Sequence, residues 1–229
     1  MCIRDSYSTV GKPTIPFYIY YSMFGFQRVG DQIWCAADSR AKGFLLGATA
    51  GRTTLNGEGL QHQDGHSLLT ATTVPNCLSY DAAFAYEIGI IIKEGLRRMY
   101  ENNEDVFYYL TLYNENYPMP SLPKNSEEGI IKGIYKFKSA AKPQVRLIGS
   151  GPIMQQVLRA AEILSNLGIK SEIWSATSFG GLRRDAIECE RWNRLNPAKK
   201  EKIPYISKTL GESDIITIAA TDHMKAVPD

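Results

Sequence analysis

The chain has 229 residues, of which 44% are hydrophobic, and its 26 basic side chains nearly balance its 24 acidic ones. This balance, without a long basic run, gives no support to nucleic-acid binding. The longest apolar stretch, residues 88–92, is far too short to cross a bilayer, so no membrane association is expected. The four cysteines are widely spaced and lack a C-x-x-C pair, which is typical of thiols in a reducing cytoplasm.

Residues 1–6 carry charges, and no apolar core follows them, so they do not resemble a signal peptide. We interpret them as a scar of sequence assembly and leave them out of the predicted fold. Residues 7–120 are predicted to form a first domain. Its first strand, 17–21, is a continuous aromatic and β-branched run, which predicts a strand buried on both faces. A turn at Gly25 and a helix over residues 31–42 are expected to follow.

The segment 51–67, called the glycine-rich loop below, has neither helical nor alternating periodicity. It contains two of the three histidines, two carboxylates, one arginine and four glycines, and it follows an apolar run over residues 43–49 that is predicted to be a strand. Open α/β sheets bind ligands at the carboxyl ends of buried strands. The loop is therefore the candidate site.

The rest of the chain alternates between strand and helix patterns. In the first domain, Asp81 is expected to cap a long amphipathic helix over residues 82–100. The change to proline- and asparagine-rich composition after residue 113 indicates a linker, which we place at residues 121–142, before a second domain at 143–229. The other predicted elements are a helix at 67–72, strands at 76–79, 106–113, 144–148, 171–176 and 214–219, and helices at 152–167 and 183–193.

This order predicts an α/β fold with two successive domains, each a mainly parallel sheet flanked by helices. At the turn between strand 144–148 and its helix, Gly149-Ser150-Gly151 has only two of the three glycines of a dinucleotide-binding loop, and Met154 stands at the third place. We interpret it as a tight turn.

The run from Leu55 to His62, followed by Asp64-Gly65-His66-Ser67, resembles the homodimeric pyruvate-decarboxylating dehydrogenases of the transketolase superfamily, which use thiamin diphosphate. Collinear matches extend the resemblance over about residues 14 to 225: residues 20–28, 76–81, 114–117 and 189–193. The resemblance implies a transketolase-like thiamin-diphosphate-binding middle domain and part of a carboxyl-terminal domain. It also implies a thiamin-diphosphate enzyme that decarboxylates pyruvate and reductively acetylates a lipoyl group.

By the same resemblance, Tyr21 and Phe24 match residues that lie against the aminopyrimidine ring of the cofactor. His62 matches a histidine that faces the substrate, and histidine is the side chain suited to proton transfer at physiological pH. Glu58 is expected to orient His62 or to belong to the hydrogen-bond network of the cofactor pocket. Asp64 and His66 match the same motif as possible pocket residues.

Two features depart from the family pattern. Gln63 and Leu68 replace a glutamate and a histidine, and no Gly-Asp-Gly signature for magnesium and diphosphate occurs in the chain. The ligands of Mg²⁺ are therefore expected in an amino-terminal part outside these residues, none is assigned here, and the 229 residues are expected to be an inactive fragment.

The implied partners are a second copy in a homodimer, the lipoyl-bearing dihydrolipoyl acetyltransferase and pyruvate. Two alternatives stay open: a non-catalytic α/β assembly domain, and another thiamin-diphosphate enzyme of the superfamily, acting on a sugar phosphate.

Overall fold

The computed structural model describes residues 11, 12, 14–55, 57–211 and 214–229, so the predicted scar at 1–6 lies outside the described part. Two four-stranded sheets follow each other along the chain, each flanked by helices, which confirms the predicted α/β class. None of the described helices is long and apolar enough to cross a membrane.

The first sheet is parallel throughout, with the strand order β1-β2-β4-β3. Its strands are β1 (Phe17–Tyr21), β2 (Phe44–Ala48), β3 (Cys77–Tyr80) and β4 (Phe107–Thr111). Its helices are α1 (Ser22–Asp38), α2 (Ser67–Ala71) and α3 (Ala85–Leu96), the last continued by a π-helical turn, Arg97–Glu101.

Adjacent tyrosines of β4 show how helices cover both faces of this sheet, because successive strand side chains point to opposite faces. Tyr109 meets Phe26 of α1 edge-on at 5.1 Å and donates a hydrogen bond to Ser67 at the start of α2. Tyr108, on the other face, lies beside Gly95 of α3, where an added Cβ would come within 3.1 Å of its ring. Both tyrosines are fully buried.

The second sheet has the order β5-β7-β6-β8, and only β5 is antiparallel to its neighbour. Its strands are β5 (Ile134–Lys138), β6 (Val145–Gly149), β7 (Ser171–Ala176) and β8 (Ile216–Ala220). The remaining helices are α4 (Glu127–Lys132), α5 (Met154–Asn166), α6 (Phe179–Leu195) and α7 (Tyr205–Leu210). Leu147 packs towards α5, and Ile148 packs towards α6, so this sheet too is covered on both faces.

The prediction that β1 is buried on both faces is wrong. The strand lies at the edge of its sheet, paired with β2, and Phe17, Ile19 and Tyr21 are exposed. Tyr20 is the exception, because its ring stacks on that of Tyr109. An aromatic run by itself does not distinguish a central strand from an edge strand, since both have the same local propensity.

The predicted boundaries of the first helix are also wrong. The helix starts directly after β1, at Ser22, and ends at Asp38, so Gly25 lies inside it rather than at a turn. Gly25 is needed there because an added Cβ would fall 1.8 Å from the ring of Tyr20. The helix is irregular at Val29, whose φ of −123° interrupts the regular turn and obscures the periodicity in the sequence.

Asp81 does not cap α3, which begins four residues later, at Ala85. The carboxylate of Glu87 does so instead, accepting hydrogen bonds from the backbone N–H groups of Ala83 and Phe84 at 2.6 and 3.0 Å. A glutamate in the first turn reaching back to the free N–H groups is the acidic half of a capping box.

The segment predicted as a linker, residues 121–142, contains both α4 and β5. β5 pairs with β7 and so belongs to the second sheet. Only the proline-rich residues before α4 have the composition of a linker. The predicted linker also took in β5, whose alternating apolar side chains form an edge strand of the second sheet.

The carboxyl ends of the two sheets face each other, and three hydrogen bonds show it. The N–H of Asp81, after β3, donates to the carbonyl of Thr177, after β7, at 2.7 Å. The N–H of Gly151, after β6, donates to the carbonyl of Asp81 at 3.3 Å, and the hydroxyl of Ser178 donates to the carbonyl of Ser79 at 2.6 Å. The loops in which α/β sheets place ligands therefore meet.

Candidate functional site

Three rings form a compact group, called the aromatic–histidine cluster below: Tyr21, Phe24 and His62. The centroid of the His62 ring lies 5.2 Å from that of Tyr21 and 5.1 Å from that of Phe24, each pair edge to face at 65°. The rings of Tyr21 and Phe24 are themselves 6.0 Å apart. The guanidinium of Arg28 lies 4.1 Å from the centroid of Phe24, a cation–π contact one helical turn along α1.

The topology explains why residues nearly 40 positions apart meet. Tyr21 is the last residue of β1 and pairs in register with Ala48, the last residue of the parallel strand β2. Helix α1 leaves the sheet at Tyr21, and the glycine-rich loop leaves it just beyond Ala48. Both segments therefore start at the same edge, and a short 3-10 turn, Leu60–His62, brings the histidine back against α1.

His62 faces Glu58 on one side of its ring. Glu58 Oε2 lies 3.1 Å from His62 Nδ1, within ion-pair distance, and the His62 side chain is 20% exposed. Nδ1 is buried and makes no hydrogen bond with the described residues, so its contact with Glu58 is one of ion-pair distance only. A carboxylate this close to the imidazole favours a proton on the ring nitrogen that faces it.

Asp64 and His66, predicted as possible pocket residues, do not join this cluster. The carboxylate of Asp64 is fully buried and accepts hydrogen bonds from the N–H groups of His66 and Ser67, at 3.0 and 2.9 Å, and from the Ser67 hydroxyl. Asp64 thereby holds the start of α2. His66 Nε2 lies 2.7 Å from the side-chain nitrogen of Gln27, beside α1.

A second polar group, which sequence reasoning missed, lies where the two sheets meet. His223 Nε2 is 3.7 Å from Asp81 Oδ1 and 3.3 Å from the hydroxyl of Tyr113. Tyr113 and Thr111 both donate to the same carboxylate. Both members of the His223–Asp81 pair are buried, so it is shielded from water.

Burial by itself would raise the pKa of Asp81, but the charge and hydrogen bond of His223, together with Tyr113 and Thr111, lower it below its ordinary value. For His223, burial would lower the pKa, yet the attraction of Asp81 outweighs it, and the pKa is raised. Each group thus favours the charged form of the other. The sequence signal was their position just beyond the ends of strands, Asp81 directly after β3 and His223 three residues after β8, where α/β sheets place polar loops.

Gly151 contacts the same group. Its φ is +50°, and an added Cβ would lie 2.8 Å from both Asp81 Oδ1 and the Tyr113 hydroxyl. The Gly149-Ser150-Gly151 segment is the tight turn that the sequence predicts, leading into a 3-10 turn, Gly151–Ile153.

The implied cofactor can be tested against these residues. The edge of Tyr21, half exposed, and the ring of Phe24 give apolar surface for a flat heteroaromatic ring, and the His62 imidazole beside them has a buried nitrogen, Nδ1, without a hydrogen bond to the described residues. The cluster fits the ring portion of thiamin diphosphate. No group of three or more His, Cys, Asp or Glu side chains suited to a metal occurs in the described part of the chain.

Comparison with known proteins gives matches over both halves. The family model described as pyruvate dehydrogenase E1 component middle domain matches residues 1–120, and the transketolase-like carboxyl-terminal domain model matches residues 133–229. Pyruvate dehydrogenase E1 components of Pseudomonas aeruginosa and Escherichia coli K12 are 56% and 55% identical, over 96% and 98% of this chain. The chain spans about a quarter of the length of these relatives.

Solved transketolases share the fold. Those of Campylobacter jejuni and Leishmania mexicana superpose with a TM-score of 0.68, at 18% and 17% identity, over 93% of this chain and 29% and 28% of theirs. These structures place both sheets in the transketolase-like arrangement. With a family model that covers more than half of its residues, this chain belongs to the pyruvate dehydrogenase E1 component family.

Proposed function

We propose that this chain forms one wall of the active site of a thiamin-diphosphate-dependent pyruvate dehydrogenase, an enzyme that decarboxylates pyruvate and acetylates a lipoyl group. The observation that carries the proposal is the aromatic–histidine cluster at the joined carboxyl ends of β1 and β2. The proposal is also supported by the 55% sequence identity between this chain and the Escherichia coli pyruvate dehydrogenase E1 component.

In this proposal Tyr21 and Phe24 bind and orient the cofactor ring. Their rings are edge to face at 6.0 Å, and the guanidinium of Arg28 over Phe24 restricts that ring further. Thiamin diphosphate, when bound, supplies the nucleophilic carbon and the electron-accepting ring that this chemistry requires. The protein's part is to exclude water, fix geometry and move protons.

In this proposal His62 is the residue that transfers a proton to or from the substrate. Its Nδ1 is buried beside Glu58, 3.1 Å from Oε2, which leaves Nε2 as the nitrogen that exchanges a proton with the substrate oxygen. Glu58 orients the ring, a role for a carboxylate next to an imidazole. The cluster therefore presents one proton-transferring nitrogen beside two ring-binding aromatics.

The finer assignments belong to the same proposal. Mg²⁺ and the diphosphate would be bound by residues outside this chain, the working enzyme would be a cytoplasmic homodimer, and its lipoyl partner would be the dihydrolipoyl acetyltransferase of the same complex. The expectation that these 229 residues alone have no activity stays a prediction.

The test uses a chimera in which this chain replaces the matching 229 residues of the Escherichia coli E1 component. His62→Ala is expected to lower kcat by on the order of 10²–10⁴-fold, the usual contribution of a general acid or base. This corresponds to roughly 3–5 kcal/mol of transition-state stabilisation. Acetylation of free lipoamide, cofactor affinity and melting temperature are measured on one preparation.

His66→Ala is the matched control, because His66 lies on the same loop but outside the cluster. It should leave kcat nearly unchanged. A His62→Ala enzyme with normal turnover per folded molecule would contradict the catalytic role. A wild-type chimera that folds and dimerises without activity would favour the alternative of a non-catalytic assembly domain.

A further inference from the structure

The glycine-rich loop is closed at its base. The N–H of Asp64 donates to the carbonyl of Gly51 at 3.0 Å, so the two ends of the segment between them are held together. Compact surface loops whose ends lie close together, the Ω-loops, are a common way of presenting functional side chains. Here the loop presents Glu58 and His62.

Hydrogen bonds to a residue of the second sheet's half of the chain hold the base of this loop in place. Asp222 lies in the turn after β8, and its Oδ2 accepts three hydrogen bonds: from the N–H of Arg52 at 2.7 Å, and from the N–H and hydroxyl of Thr53 at 3.0 Å each. Arg52 Nε in turn donates to the backbone carbonyl of Asp222 at 2.9 Å. The carboxylate of Asp222 is buried.

Both ends of the loop are fixed in this way. At the far end, the N–H of Met224 donates to the carbonyl of Gly65 at 2.8 Å. At the near end, Gly51 has a φ of +81°, and an added Cβ would lie 2.3 Å from Asp222 Oδ2. Glycine is therefore the residue that lets the carboxylate approach the backbone this closely.

The contacts that His62 itself makes with the end of β1 and the first turn of α1 are weak by comparison. They are edge-to-face ring contacts with Tyr21 and Phe24, while Glu58 is partly exposed to water. By contrast, hydrogen bonds from backbone N–H groups to a buried carboxylate are short and strong. The position of the histidine therefore depends on how firmly the base of its loop is held.

We propose that Asp222 is a positioning residue, which holds the glycine-rich loop so that His62 stays against Tyr21 and Phe24. The proposal rests on the proposed function for its catalytic consequence, but its structural part stands on the contacts of Asp222 alone. It gives the carboxyl-terminal half of the chain a role in the site, although none of the ring-binding side chains comes from it.

The structural part is tested on the 229-residue chain by hydrogen–deuterium exchange. Asp222→Ala should speed exchange of the amides of residues 57–65, while the amides of β4 keep their wild-type rates. Gly51→Ala, which displaces the same carboxylate from the other side, should give the same pattern. Asp214→Ala, which removes an exposed carboxylate of the same half, is the control and should change neither.

Asp222→Asn is a second, milder variant, which keeps the proposal testable if Asp222→Ala does not fold. An amide oxygen can accept the same N–H donors, so this variant should restore much of the protection of the loop. Unchanged exchange in residues 57–65 for Asp222→Ala, or equal exchange for the Ala and Asn variants, would overturn the proposal.

The catalytic part is tested in the chimera described above. Asp222→Ala should lower kcat by on the order of 10²-fold with little change in the KM for pyruvate, because a displaced catalytic group costs rate more than binding. Asp222→Asn should recover part of this loss. An active wild-type chimera whose Asp222→Ala variant keeps its kcat would contradict the positioning role, whereas an inactive wild-type chimera would contradict the proposed function and leave the exchange result to decide on Asp222.

Discussion

At the scale of single residues, the His223–Asp81 pair shows how a buried charge is tolerated. Asp81 Oδ1 receives the hydroxyls of Thr111 and Tyr113 and lies 3.7 Å from His223 Nε2. The groups charged in this environment are His223, Asp81 and, further away, Asp64 and Asp222, which also raise the pKa of His223. Burial raises the pKa of Tyr113 well above its ordinary value, so that phenol stays neutral.

The pH dependence of stability follows from the directions of these shifts. The pKa of His223 is raised in the folded state, so its contribution is fully present below its ordinary value of 6.5 and is lost as the pH rises through the folded pKa. The pKa of Asp81 is lowered from 3.8, so its contribution is lost only in acid, as the pH falls through its folded pKa. As the pH rises above 6.5, His223 is therefore the member of this pair that loses its charge.

We therefore expect the free energy of unfolding to fall between about pH 6 and pH 9 in the wild-type chain and to fall less in His223→Gln. Each unit by which the pKa is raised corresponds to about 1.4 kcal/mol. Urea unfolding at both pH values measures the difference. Parallel curves for the two proteins would show that His223 is not charged in the folded state.

At the scale of secondary structure, α3 begins with a carboxylate that serves two purposes. Glu87 satisfies the free N–H groups of Ala83 and Phe84, and its other oxygen accepts hydrogen bonds from Tyr135 of β5 and Ser175 of β7, each at 2.7 Å. Burial raises the pKa of Glu87 despite these donors. The start of a first-half helix is thereby joined to the second sheet.

Removing this carboxylate should be costly. Glu87→Ala removes the acceptor of four buried hydrogen bonds, although the Tyr135 hydroxyl still has the Tyr86 hydroxyl as a partner, and each buried donor left without an acceptor costs about 1–3 kcal/mol. We expect the free energy of unfolding to fall by on the order of 3 kcal/mol or more after relaxation. Glu128→Ala, which removes an exposed partner of Lys132, is the control and should leave the free energy of unfolding nearly unchanged. Equal losses in the two variants would contradict the assigned role.

At the scale of the whole molecule, the two halves are joined by polar contacts as well as by apolar packing. Arg184 of α6 reaches across to the segment before and within β3. Its guanidinium donates to three backbone carbonyls, those of Thr72, Val74 and Cys77, at 3.2, 2.9 and 2.7 Å. The five donors of arginine, fixed in one plane, suit such a set of acceptors.

Arg184→Met keeps the apolar stem and removes these donors. We expect it to lower the free energy of unfolding by roughly 2–4 kcal/mol, since hydrogen bonds from a charged group contribute about 1.5–3 kcal/mol each and part of this is recovered by water. Scanning calorimetry should show the halves beginning to unfold separately, with the van't Hoff enthalpy falling below the calorimetric enthalpy. Arg183→Met, at the exposed neighbouring position, should leave a single transition; a single, unshifted transition in Arg184→Met would exclude this coupling.

The sequence by itself determined the α/β class, the existence of most elements and the segment in which the candidate site lies. Strand β7 was predicted at its observed bounds, Ser171–Ala176, because the strand propensity of Ile173 and Trp174 is a local signal that needs no distant partner. The roles predicted for Tyr21, Phe24, Glu58 and His62 depended on resemblance to a family, and those roles remain predictions.

Tertiary structure alone decided which residues share an environment. The exposure of β1, the placement of β5 in the second sheet and the burial of Asp81 beside His223 depend on pairings between segments far apart in the chain. Local propensity does not contain that information. The hydrogen bond from the N–H of Arg52 to Asp222, at the base of the glycine-rich loop, joins residues 170 positions apart. Only the folded structure brings the carboxylate of Asp222, which follows β8, to the base of the glycine-rich loop, which follows β2.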